Sequence, residues 1–169
     1  MSDAQNDAAE QPVTTGNSAV ESRLAELGRA LPPVPAPVAA YVPAVISGNQ
    51  VFTSGQLPSI AGKLTASGKV GAEVSADEAK QCAAICAVNA LAAVKSVIGD
   101  LDRITRVIKV VGFVASDPSF TGQPTVINGA SELLGEVLGE AGVHARSAVG
   151  VSVLPLNAPV EVELVVEFQ

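Results

Sequence analysis

HARSAVGVSVLP, residues 144–155, and VEVELVVEF, residues 160–168, are the two stretches that decide the fold of this chain. Both alternate residue by residue, as a β-strand does when one of its faces packs on a core. The second stretch predicts one apolar face and one face that carries glutamates. The apolar face comprises Val160, Val162, Leu164, Val166 and Phe168, and the outer face comprises Glu161, Glu163 and Glu167.

Arg146 lies in the first of these strands, where an apolar strand does not require a charge. Alternation places it with Ala148, Gly150 and Ser152 on one face, and we expect the valines of the other face to join the core. A guanidinium can hold a carboxylate through two hydrogen bonds, so Arg146 is a candidate anion-binding residue. The alternative is a structural salt bridge at a sheet edge or a subunit contact. A hairpin between the two strands would bring Arg146 beside Glu161.

The remaining pattern predicts an α+β domain of order β-β-α-β-α-β-β, with the helices on one face of the sheet. Ser75 and Glu78 match a capping box, which begins a helix. The glycine-containing residues 58–74 are interpreted as a loop. The other predicted elements are strands at 38–46 and 50–57 joined by a turn at 47–49, a helix from Ser75 to about Ile98, a strand at 104–115, and a helix from 122–124 to 139–142.

The N-terminal part divides into three segments. Residues 1–18 are polar, and we expect a disordered tail. Residues 19–31 predict an amphipathic helix, which a Pro-rich connector ending at 37 joins to the main domain, 38–169. This helix either packs on its own domain, which its apolar stripe favours, or docks to a larger assembly. The stripe comprises Val20, Leu24, Leu27 and Leu31.

Composition narrows the class of protein. The 169 residues carry a formal net charge of −7 and show no cluster of Lys or Arg, so we expect no nucleic-acid partner. No apolar run reaches the roughly 18 residues that span a bilayer, and the N-terminus lacks the features of a secretory signal. The two cysteines form no disulfide framework. We therefore expect a soluble, cytoplasmic protein without a membrane partner.

Three weaker motifs are interpreted as structural. Cys82 and Cys86 are four residues apart on a helix, but free cysteines are usually buried core residues. Residues 62–70 are similar to a phosphate-binding loop, yet their spacing and their final valine do not fit one. His144 is the only histidine, and no orienting partner for a catalytic triad is evident. We expect no metal and no cofactor.

Two signatures resemble those of the Rid/YjgF family, the reactive-intermediate (enamine/imine) deaminases. The first is Tyr41-Val42-Pro43-Ala44-Val45 followed by Phe52-Thr53-Ser54-Gly55-Gln56-Leu57-Pro58, and the second is Ala145-Arg146-Ser147 followed by Val160-Glu161-Val162-Glu163. The resemblance covers about residues 38–168. It implies a chorismate-mutase-like α+β domain in a homotrimer, with the sheets packed around the threefold axis and the sites in clefts between subunits.

The resemblance also implies an activity, the hydrolysis of 2-enamino and 2-imino acids to 2-keto acids and ammonia. This would make the chain a deaminase of the 2-iminobutanoate/2-iminopropanoate type, active in metabolite damage control. By the same resemblance, Arg146 binds the substrate carboxylate and Glu161 positions water. The backbone of Gly55 lies against the substrate, and Tyr41 lines the cleft. The partner would be a small molecule that bears a carboxylate.

Three positions depart from the family pattern. Pro43 stands where family deaminases usually carry Gln, and Ala148 stands where Cys is common. An Asn that often follows the third strand has no clear match in residues 115–119. These departures keep a second hypothesis open, a non-catalytic trimer that binds a small carboxylate as a sensor or scaffold. Ribonuclease activity has also been attached to the family by name, but the charge of −7 argues against it.

Overall fold

The structure is a computed structural model, and it describes residues 18–34 and 40–169. Within these residues the chain forms a main sheet with helices on one face, a small separate hairpin and several short 3₁₀ turns. The helices are α1 (Ala19–Glu26), α2 (Ala76–Ile98) and α3 (Gln123–Leu138). The strands are β1 (Ala44–Ser47), β2 (Gln50–Thr53), β3 (Ser59–Ile60), β4 (Lys63–Leu64), β5 (Ile104–Ala115), β6 (Ala145–Val151) and β7 (Val160–Phe168).

The main sheet has five strands in the order β1-β2-β7-β5-β6. The long strand β5 pairs antiparallel with β7 and parallel with β6. Parallel neighbours need a crossover, and α3 supplies it between β5 and β6. Helices α2 and α3 pack against each other and against one face of this sheet, so the α+β arrangement is confirmed.

The core lies between the two helices and the sheet. The alternation of β7 is as predicted, since Val160, Val162, Leu164 and Val166 are all buried and Phe168 packs partly against the core. Helix α2 contributes many alanines, whose small side chains allow close packing on both α3 and the sheet. At Gly129 of α3, an added methyl group would overlap the carbonyl oxygen of Lys80. The two helices therefore approach to backbone contact.

The ends of α2 follow the sequence signals. Ser75 is the N-cap residue, and its Oγ accepts a hydrogen bond from the Glu78 amide at 3.2 Å. This is one half of the predicted capping box, and the described hydrogen bonds include no return bond from Glu78 to Ser75. Gly99 ends the helix with a φ of 84°. The predicted loop at 58–74 is wrong in part, because it contains the β3–β4 hairpin.

Helix α2 also corrects one expectation from composition. By length and composition it is apolar enough to cross a membrane, although the sequence analysis expected no such run. In the structure, 72% of its most apolar window is buried inside the domain. This is the character of a core helix.

Helix α1 is shorter than the predicted helix over 19–31. It ends at Glu26 because Gly28 adopts a φ of 69°, and the amides of Gly28 and Arg29 bond back to Ala25 and Leu24 in a Schellman motif. Ser18, assigned above to the polar tail, is the N-cap residue of α1. Residues 1–17 and 35–39 lie outside the described residues, and with them the rest of the predicted tail and part of the connector.

Helix α1 packs on its own domain. Of the predicted stripe, Val20 and Leu24 are buried, Leu31 packs partly against the core, and Leu27 is 43% exposed. The Asp102 carboxylate accepts hydrogen bonds from the first two amides of the helix, at 2.8 and 3.0 Å. The Glu21 carboxylate contacts Lys95 of α2 at 2.6 Å. The apolar face of the helix is thus covered by the domain.

The predicted hairpin between β6 and β7 is wrong. Strand β5 lies between them, so the two strands are not hydrogen-bonded to each other. After β6 the chain crosses the end of β5, where the Ala115 amide donates to the Pro159 carbonyl at 2.9 Å. This crossing includes Leu156 and Asn157, which both have φ near 60°.

The predicted faces of β6 are reversed. Val149 is 45% exposed and lies on the sheet face away from the helices, whereas Ala148 packs against the core. The small residues of this strand serve the approach of α3, since an added methyl at Gly150 would lie 2.8 Å from Nε2 of Gln123. Ala148 and Gly150 of this edge strand therefore lie on the side of the helices, and Val149 lies on the open face.

Candidate functional site

Arg146 lies on the edge strand β6 and extends along one face of α3. Its Nη1 donates to Oδ1 of Asn128 at 2.8 Å and to Oγ of Ser131 at 3.1 Å. Its Nη2 donates to the Pro124 carbonyl oxygen at 3.3 Å. The three acceptors are spaced at i, i+4 and i+7 on α3, so a single helix face fixes the guanidinium.

Two donors of the guanidinium have no partner among the described residues. Of its five N–H groups, two on Nη1 and one on Nη2 are engaged, which leaves Nε–H and the second hydrogen of Nη2. Nε and Nη2 form the edge along which arginine binds a carboxylate in bidentate fashion. Across residues 18–34 and 40–169, no carboxylate pairs with Arg146. The structural salt bridge considered from sequence is therefore not formed within the described residues.

A serine–histidine pair supports Arg146, and the sequence analysis missed it. Oγ of Ser131 lies 2.9 Å from Nε2 of His144, and Nδ1 of His144 lies 2.6 Å from the Gly142 carbonyl oxygen. His144 thus has the orienting partner that the sequence did not reveal. Ser131 and His144 are 13 residues apart on different elements. No motif spacing connects them, so only the packing of α3 beside β6 identifies the pair.

Glu161 lies against the backbone of Gly55. An added methyl group at Gly55 would overlap the Glu161 carboxylate, so a larger residue at this position requires the carboxylate to move. Burial raises the pKa of the Glu161 carboxyl, and the neighbouring charge of Glu163 raises this pKa further. Within the described chain, Glu161 has no ion-pair partner that would oppose this shift.

Arg146 and Glu161 lie on opposite faces of the sheet. Arg146 is in register with Val110, which is fully buried beneath the helices, whereas Glu161 is in register with Phe113 on the open face. Strand β5 separates them, which places their strands roughly 10 Å apart. The structure therefore does not bring the two predicted site residues together within one protomer.

Tyr41 precedes β1 and is 61% exposed. The segment after it is fixed by Ser54, whose Oγ donates to the Val42 carbonyl at 2.6 Å and whose amide donates to the Pro43 carbonyl at 2.8 Å. The Tyr41 hydroxyl has no hydrogen-bond partner among the described residues. Its predicted place in a cleft stays a prediction.

The two cysteines are core residues of α2, as predicted. Burial raises the pKa of both the Cys82 and the Cys86 thiols, and the thiol of Cys86 is completely buried. The described residues contain no group of three or more His, Cys, Asp or Glu side chains that could hold a metal ion.

The open face of the sheet carries exposed apolar side chains. Val45, Phe52 and Val149 are between 40% and 52% exposed, and Val45 and Phe52 are cross-strand partners. They lie on the same face as Glu161, opposite α2 and α3. Exposed apolar side chains gathered on one sheet face are typical of association surfaces.

Together, the helix-covered sheet, the arginine on its edge and the apolar open face define the class of α+β domains that chorismate mutase represents. Residues 21–168 match the family model described as "YjgF/chorismate mutase-like, putative endoribonuclease". The chain belongs to this family, and the resemblance drawn from its two signatures is confirmed.

Several relatives share most of the chain. A protein of unknown function from Agrobacterium tumefaciens is 52% identical, with a TM-score of 0.83 over 89% of this chain and 92% of that one. A protein of the same endoribonuclease description from Shewanella oneidensis MR-1 is 38% identical, with a TM-score of 0.85 over 90% and 100%. Protein TCP17 of Trypanosoma cruzi is 46% identical over 151 residues, which cover 88% of this chain and 93% of that protein.

Proposed function

We propose that the protein hydrolyses 2-enamino and 2-imino acids to 2-keto acids and ammonia, in a cleft between the subunits of a homotrimer. The observation that carries the proposal is the Nε/Nη2 edge of Arg146, on which Nε–H and one Nη2 hydrogen have no partner among the described residues. This guanidinium is oriented by neutral acceptors and has no carboxylate partner in the described chain. A small carboxylate fits that edge in geometry and in charge.

The placement of Glu161 supports a site shared between subunits. Arg146 and Glu161 lie on opposite faces of one sheet, so one substrate can reach both only if two copies of the chain contribute. The apolar side chains of the open face supply a surface for such packing. Light scattering of the protein in solution tests this assembly, and the expected mass is that of three chains.

The reaction requires positioning and proton transfer. Arg146 binds the carboxylate and holds the imine carbon in place for water. As the C–O bond forms, the Glu161 carboxylate accepts one proton of the water and passes it to the nitrogen, which gives a carbinolamine. Glu161 then accepts the proton of the new hydroxyl group and passes it to the nitrogen, so that the C=O bond forms, the C–N bond breaks and ammonia leaves. The raised pKa of Glu161 strengthens it as a base. The atoms balance as imine plus water giving ketone plus ammonia, with no change of oxidation state.

The test uses a dehydratase to generate 2-aminoacrylate in the presence of the protein and follows pyruvate release. Wild type is expected to accelerate release above the buffer rate, and Arg146→Ala is expected to remove at least about 100-fold of that acceleration. Arg106→Ala, an exposed arginine of the neighbouring strand β5, is the matched control and should behave as wild type. Equal rates for wild type, Arg146→Ala and buffer would overturn the deaminase proposal.

A second candidate function is a non-catalytic trimer that binds a small carboxylate as a sensor or scaffold. Ala148 favours it, because this residue shares the face of Arg146 and supplies only a methyl group where the family commonly has a cysteine. Keto acids would then raise the melting temperature through Arg146 without any turnover. Turnover of 2-aminoacrylate would exclude this candidate.

Two further assignments follow from composition. The seven excess negative charges do not favour RNA as a substrate, despite the family description. Cys82 and Cys86 are free thiols, which fits a reducing compartment, and we propose the cytoplasm.

A further inference from the structure

We propose that Ser131 and His144 are positioning residues for the carboxylate-binding arginine. The proposal rests on the function proposed above, and it adds a specific device to that site. Ser131 belongs to α3, His144 precedes β6, and both hydrogen-bond within the network that ends at Arg146.

The direction of each hydrogen bond follows from the donors and acceptors. The Gly142 carbonyl can only accept, so Nδ1 of His144 carries the proton in the 2.6 Å contact. In the neutral ring Nε2 then has a lone pair, and it accepts from the Ser131 hydroxyl at 2.9 Å. The Ser131 oxygen in turn accepts from Nη1 of Arg146.

The resulting chain runs in one direction from the guanidinium to a backbone carbonyl. Hydrogen bonds arranged in this way polarise one another, so each strengthens its neighbour. The far end is rigid, because Gly142 is buried and an added methyl group there would overlap the Leu134 carbonyl oxygen of α3. Arg146 is thereby anchored to the packing of α3.

The acceptors engage three of the five N–H groups of the guanidinium. Ser131 and Asn128 occupy both hydrogens of Nη1 and Pro124 occupies one of Nη2, so Nε–H and the second Nη2 hydrogen have no partner among the described residues. Without Ser131, Nη1 loses one of its two acceptors, and the side chain can adopt other rotamers. The binding edge is then presented for a smaller fraction of the time.

The experiment measures binding and does not depend on turnover. Pyruvate is titrated into wild type, Ser131→Ala and Ser131→Thr, and Kd is measured by NMR chemical-shift changes. Pyruvamide, which lacks the carboxylate, is the neutral control ligand. Ser131→Ala should weaken pyruvate binding about five- to tenfold, the effect of one lost hydrogen bond, and leave pyruvamide binding unchanged. Ser131→Thr, which retains the hydroxyl, should restore the wild-type Kd.

A second variant approaches the chain from its other end. His144→Phe removes the acceptor for the Ser131 hydroxyl and should weaken pyruvate binding about two- to threefold. A Kd for pyruvate within experimental error of wild type in both Ser131→Ala and His144→Phe overturns the positioning role. If Arg146→Ala also binds pyruvate as wild type does, the proposed function is contradicted as well. If only Arg146→Ala loses binding, the proposed function is supported and the positioning role of Ser131 and His144 is contradicted.

Discussion

On one face of the sheet Arg146 lies against α3, held by three neutral acceptors; on the other, Glu161 lies against Gly55 with a raised pKa. The first face is covered by two helices, and the second carries exposed Val45 and Phe52. Arg146 on the first face and Glu161 on the second thus each lack an opposite charge beside them in the described chain.

The lack of charge partners at Arg146 and Glu161 within the described chain indicates that these two residues serve a binding site and not the stability of the domain. Partly buried charges are costly unless they are paired, and a domain gains nothing from leaving two of them uncompensated. A ligand carboxylate would compensate Arg146, and a second subunit would bring Glu161 within reach of the same ligand. The comparison therefore favours a site assembled between copies.

The largest expected effect is on the free energy of unfolding, which should respond differently to substitutions on the two faces of the sheet. Leu164 and Val165 are neighbours in β7, but Leu164 is buried beneath the helices and Val165 faces the open side. Leu164→Ala should lower the free energy of unfolding by about 2–5 kcal/mol at any protein concentration. Val165→Ala should cost about 1 kcal/mol, and more under conditions in which the trimer forms. Urea unfolding at two protein concentrations measures the loss of unfolding free energy in each variant. If both variants lose the same free energy at both concentrations, the distinction between the two faces is contradicted.

An intermediate effect is expected at Gly55. Gly55→Ala places a methyl group where the Glu161 carboxylate lies, so the carboxylate must move. We expect kcat/KM for 2-aminoacrylate to fall about tenfold, equivalent to about 1.4 kcal/mol. Gly135→Ala on α3 is the matched control, because an added methyl group there meets no atom within 4 Å. An undiminished rate for Gly55→Ala would remove Glu161 from the proposed mechanism.

The smallest effect is the pH dependence of stability due to Glu161. Because its folded-state pKa is raised, the protonated form is favoured in the native protein. The native state therefore has its full stability below the ordinary range of a glutamate and loses some of it as pH rises through the raised pKa. Glu161→Gln lacks this loss, so its unfolding free energy relative to wild type should increase from acid to neutral pH. Parallel curves for the two proteins would show that the pKa is not raised.

Local patterns predicted most of the elements. The alternation of β7, the Ser75 cap and the β-branched strand β5 depend on neighbours in sequence, and the structure confirms each of them. The predicted end of α1 at residue 31 is wrong. The apolar stripe continues past Gly28, but the positive φ of Gly28 ends the helix.

The pairing of β6 could not be obtained in the same way. A short connection to β7 suggested a hairpin, yet β6 follows a helix after β5, and a β-α-β arrangement favours a parallel pair. The valines of β6 also misled the assignment of its faces. Alternation cannot distinguish a valine that packs under a helix from a valine that is exposed on an apolar open face. Val149 is of the second kind.

The central claim is that each site combines Arg146 of one copy with Glu161 of another. Mixing Arg146→Ala with Glu161→Gln, each inactive alone, and refolding them together tests it most directly. Random assembly of equal amounts should restore about a quarter of the wild-type rate, because one in four interfaces then joins an intact arginine to an intact glutamate. A mixture no more active than the two variants measured separately would contradict a site shared between subunits.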